Sequence, residues 1–108
     1  MSELFEKGVI LNMIETIEYS TGGIISKQVL KNDAGNITLF SFDKGQGLSE
    51  HTAPFDAMVE ILDGEAEISI DGKPLILTAG QSVIMPAGVP HALYANKQFK
   101  MLLTMIKG

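Results

Sequence analysis

From residue 65 to residue 70 the chain alternates strictly. Ala66, Ile68 and Ile70 are apolar, and Glu65, Glu67 and Ser69 between them are polar. A period of two is the signature of a strand with one face on a core and one in water. Weaker alternation over residues 24–31 and 36–43 predicts two more strands, joined by the turn residues Asn32-Asp33-Ala34-Gly35. Residues 58–63 read as a strand closed by an Asp63-Gly64 turn. Asp71-Gly72 is a strong hairpin signal, and residues 73–78 return from it. Shorter strands are expected over 82–85, 91–95 and 99–107, with Gly45 and Gly47 in a loop and Pro86, Gly88 and Pro90 stiffening another. Many short strands separated by turn signals predict an all-β sandwich or barrel. Residues 58–62 and 101–106 are apolar on both strand faces. A strand of that kind is covered on both sides, and its outer cover must be the N-terminal segment, a second subunit or both.

The N-terminal stretch fits a short helix or an edge strand equally well. We divide the chain into an N-terminal arm or edge segment, 1–23, and a barrel, 24–108. The two-faced apolar strands predict a homodimer, with residues 9–17 as the segment that reaches the partner.

Composition narrows the partners. The chain has 108 residues, enough for one domain with a small core. Its net charge is −5, which argues against nucleic acid and anionic membrane surfaces. All eight basic residues are lysine, so the bidentate grip of arginine on phosphate or carboxylate is absent. Cysteine is absent too, which removes disulfides, thiolate metal sites and cysteine nucleophiles. No run is long enough to cross a membrane as a helix. The acidic N-terminus lacks the positive region of a signal peptide, so a cytoplasmic location is the expectation.

The only two histidines, His51 and His91, lie inside two spaced motifs. The first runs Gly45, five residues, His51, Thr52, Ala53, three residues, Ala57, six residues, Gly64. The second runs Gly80, five residues, Pro86, Ala87, Gly88, two residues, His91. This framework resembles the cupin family, in its small single-domain members of the RmlC-like type. The resemblance implies an antiparallel jelly-roll barrel, the double-stranded β-helix. It also implies a divalent metal held by two His and one Glu of the first motif and one His of the second. Here only His51 and His91 occupy such positions, with Ala53 and Ala57 at the other two. No cofactor is therefore expected beyond a weakly held divalent metal on His51 and His91.

By alternation from His51, Ala53, Phe55, Ala57, Val59 and Ile61 should point inward, with Phe55 and Val59 on the pocket wall, joined by Met85 and Leu93 around His91. From the last strand, either Met101 with Met105 or Leu102 with Ile106 should face inward. A mostly apolar lining with two imidazoles suits a small, weakly polar organic ligand. The alternatives are a metal-dependent dioxygenase or isomerase with a reduced two-His site, and a non-catalytic interaction module. Asp56, Glu50 and Glu60 have the wrong strand parity to replace the lost ligands.

Overall fold

The computed structural model describes residues 5–107. After a single helical turn, α1 (Met13–Thr16), come eight antiparallel strands. They are β1 (Ile24–Asn32), β2 (Gly35–Phe42), β3 (Gly47–His51), β4 (Asp56–Ile70), β5 (Lys73–Thr78), β6 (Ser82–Met85), β7 (His91–Tyr94) and β8 (Phe99–Ile106). One sheet has the order β1-β2-β8-β4-β6 and the other β5-β4-β7-β3, with β4 common to both. The molecule is an all-β jelly-roll barrel.

Strand β4 explains how one chain segment serves two sheets. Its first half pairs with β6 and β8, and its second half pairs with β5 and β7. Asp63-Gly64 reads in the sequence as a chain-reversing turn. The structure has a bend within one continuous strand instead, where the register against β8 shifts between Ile61 and Asp63. Gly64 takes φ +80°, a left-handed conformation open to glycine at little cost. Bulges of this kind re-aim a strand without ending it. Asp71 and Gly72 both have positive φ and form the hairpin tip between β4 and β5. Strand β3 is a second difference. Gly47 reads as part of a loop, yet Gly47–His51 form a strand that pairs with β7.

The alternation of residues 65–70 appears as expected burial: Ala66 and Ile68 are fully enclosed. Inside the barrel, the Phe42 and Phe99 rings stack with centroids 4.6 Å apart, and Val59, Ile61 and Ala95 complete that end of the core. A second cluster lies on the outer face of the larger sheet. There Ile17 packs on Val29 and Leu39, with Leu62 and Leu102 partly buried beside them.

The N-terminal segment is thus strapped to its own barrel. Tyr19 donates its hydroxyl hydrogen to Asp63, Ser41 donates to the Glu18 carbonyl, and Lys27 and Lys100 donate to the Thr16 and Ile14 carbonyls. Burial, with the hydrogen bond and charge of Asp63 adding to it, pushes the Tyr19 phenol above its ordinary value. The strap covers only part of the sheet. Met58, Ile84 and Ile106 stay exposed on the uncovered part, and Val9 and Ile10 of the N-terminal segment are exposed as well.

Candidate functional site

His51 ends β3 and His91 begins β7, and the two are direct Cα partners across that ladder. Their rings meet edge to face with centroids 4.4 Å apart. His91 is buried, while His51 is exposed and forms the mouth. Nδ1 of His51 lies 2.8 Å from the Ser49 carbonyl oxygen, and Nδ1 of His91 lies 3.2 Å from that of Val89. A carbonyl can only accept, so each Nδ1 carries the proton. With Nδ1 as the donor, Nε2 is the nitrogen that carries a lone pair in the uncharged form of each ring. The same second contact fixes the ring orientation of metal-bound histidines.

The loop between β6 and β7 sets this geometry. Gly88 donates its N–H to the Ala53 carbonyl, and Ala87 donates to the Asp56 carboxylate, both at 2.8 Å. The Asp71 N–H caps the Pro90 carbonyl at 2.8 Å. The proline- and glycine-rich loop is therefore stitched to the segment after His51, and Val89 within it positions the ring of His91.

Behind the two rings is a cavity of about 60 Å³. Met85, Leu93, Ala53 and Ala57 line it, with Leu48 from β3 and Met101, Leu103 and Met105 from β8. Of the two inward sets open for β8, the structure has Met101 with Met105, and Ile106 is exposed.

Two residues expected on the wall lie elsewhere. Phe55 sits outside the barrel beside Pro54, Asp56, Ala87 and Ile106, with Lys107 Nζ 5.9 Å from its ring centre. The reason is that residues 52–55 are not strand: the chain bends at Pro54 and Phe55, so Phe55 leaves the alternation, which resumes inward at Ala57, Val59 and Ile61. Val59 does point inward, but it is fully buried in the core and does not border the cavity. Leu48 and Leu103 line the cavity although the sequence offers no pocket signal for them, and Ala53 lines it as its inward parity predicts. Leu48 had no readable signal, because β3 itself was not recognised.

The donor set does not fit the divalent centre that the motif resemblance implies. Ala53 and Ala57 carry no ligating atom. Among the described residues no cluster of three or more His, Asp or Glu side chains could hold a metal. Asp56 is committed to the Ala87 N–H, and Glu50 is exposed. Catalytic sites for zinc and non-haem iron need three protein ligands.

The family profile of the cupin domain matches residues 38–107, well over half of the chain. The chain is a cupin. Solved cupins and their relatives share the architecture closely. A conserved protein of unknown function from Streptococcus pyogenes is 40% identical, with 96% of this chain and 91% of that one covered and a TM-score of 0.91. A cupin 2 conserved barrel domain protein from Leptotrichia buccalis is 44% identical with a TM-score of 0.87. There 90% of this cupin is covered but only 47% of the other chain, so this cupin spans about half of it. A cupin superfamily protein from Desulfitobacterium hafniense is 29% identical, with 99% and 97% covered and a TM-score of 0.89. No curated protein matches this cupin. The cupin fold in general supports binding of a small molecule or a metal.

Proposed function

We propose that this cupin is a binding protein whose barrel cavity takes a small, weakly polar organic molecule. The observation that carries the reading is the pinned histidine pair. Two imidazoles line an otherwise apolar cavity, and each spends its Nδ1–H on a backbone carbonyl, so Nε2 is the ring atom left to meet a bound molecule. Such a site selects a ligand with a hydrogen-bond donor and an apolar body. The cavity is close to two water volumes. The ligand is therefore of few heavy atoms, and the unbranched methionines on the wall can turn to widen the space. A purely filled core would not need paired acceptors at its mouth.

The test is a thermal-shift screen of small alcohols, phenols and amides against wild type and a His51→Ala/His91→Ala double variant. A ligand in excess of its Kd raises the melting temperature through mass action. At least one such molecule is expected to stabilise wild type by a few degrees, on the order of 1 kcal/mol, and to leave the double variant unmoved. Equal shifts in both proteins, or none in wild type, would remove the reading.

A further inference from the structure

The donors around the cavity are of one chemical kind. Ala57 is the direct Cα partner of Met85 on β6 and of Met105 on β8. Opposite residues in an antiparallel ladder send their side chains to the same face, with Cβ atoms about 5 Å apart. Two thioethers therefore flank the position from which the motif has lost its carboxylate. Met101, two strand positions from a second lining residue on β8, Leu103, borders the same cavity. Three of the six methionines of the chain converge here with its only two histidines.

Their distribution is not that of general filling. The rest of the buried barrel core is Phe42, Val59, Ile61, Ala66, Ile68, Leu77, Ala95 and Phe99, with no methionine. The flexible sulfur side chains of the barrel core are confined to the end that holds the imidazoles.

Imidazole nitrogen and thioether sulfur are neutral, soft-to-borderline donors, and thioethers favour copper(I) over hard divalent ions. Charge points the same way. An apolar cavity without a carboxylate offers no counter-charge to a divalent ion, and a single positive charge is far less costly to desolvate there.

We propose that this cavity binds one copper(I) ion, with Nε2 of His51 and His91 and the sulfur of Met85 or Met105 as its donors. This inference rests on the binding reading above, because it uses the same Nε2 lone pairs, and copper(I) and an organic ligand then exclude one another. Exposed His51 at the mouth gives the ion its route in.

The experiment is an anaerobic titration of the purified protein with copper(I) in the presence of bicinchoninate as a competing chelator. Wild type is expected to retain one equivalent. The Met85→Leu/Met105→Leu variant, which conserves volume, is expected to hold it at least about tenfold more weakly. Its zinc affinity should equal that of wild type, and copper K-edge absorption should show sulfur scattering in wild type that the variant lacks. Failure of wild type to retain copper, or equal copper affinity in the two proteins, overturns the proposal. If wild type rejects copper but still binds the screened organic ligand at His51 and His91, this inference alone fails. If neither binds, both readings fail.

Discussion

Replacing Ala53 with His and Ala57 with Glu is expected to convert this cupin into a protein that binds a divalent metal tightly. Both alanines already line the cavity, and Ala53 is held by the Gly88 N–H on its carbonyl. The added imidazole and carboxylate would enter beside two rings whose Nε2 atoms are preset as acceptors. Loss of even an outer-shell partner typically lowers metal affinity about 10–100-fold, so two new direct ligands are expected to raise it by at least about 1,000-fold. Carboxylate also supplies the counter-charge that a divalent ion lacks in the native cavity. Isothermal titration with manganese or zinc, wild type against the double variant, is the measurement. Comparable affinity in the two proteins would mean that wild type already owns a full ligand set or that the alanines do not face the site.

Gly64→Ala is expected to be among the most destabilising single substitutions in the barrel. A Cβ at this position would stand 1.9 Å from the Gln98 carbonyl oxygen and 2.9 Å from Phe99 Cα, and both are backbone atoms of or next to β8. Backbone in a ladder cannot step aside as a side chain can, so β4 and β8 would have to part where β4 passes between sheets. The left-handed φ adds about 1–2 kcal/mol for any L-residue. Together these should cost about 3 kcal/mol or more, within the range that core clashes reach. For a domain of this size that is a fall of roughly 10–20 °C in melting temperature. Gly72→Ala is the control. It has a similar φ of +78° but nothing within 4 Å of the added Cβ, so only the conformational cost of about 1–2 kcal/mol applies. Equal melting temperatures for the two variants would show that the close approach at Gly64 does not constrain the fold.

The sequence carries the fold clearly where side chains alternate and turns have strong chemistry. Ala66, Ile68 and the Asp71-Gly72 tip are legible for that reason, as is the spacing that brings His51 and His91 together. Strand β3 is not legible. Its residues, GLSEH, are mostly exposed, so no apolar period marks it, and its pairing with β7 is a long-range event. Gly64 shows a related ambiguity. Asp-Gly with positive φ reads as a turn, yet the same conformation within a long strand makes a bulge, and only the partners of residues 65–70 decide between them. Parity holds within a strand and fails in the bend at Pro54 and Phe55, which is why Phe55 is outside while Ala57 and Val59 beyond it face inward. The choice between Met101 with Met105 and Leu102 with Ile106 depends on which face of β8 meets the barrel interior, and the chain is apolar on both. That choice placed two methionines, Met101 and Met105, beside Met85 and the histidines.

The central claim is that His51 and His91 are built to present two free Nε2 lone pairs to one cavity. Long-range ¹H–¹⁵N correlation spectra of the imidazoles at neutral pH read this directly. Both rings are expected in the Nδ1-protonated tautomer, with both Nε2 resonances moving together when copper(I) or a screened ligand is added. A proton on Nε2 of either ring, or Nε2 signals that do not respond to any bound species, would contradict it.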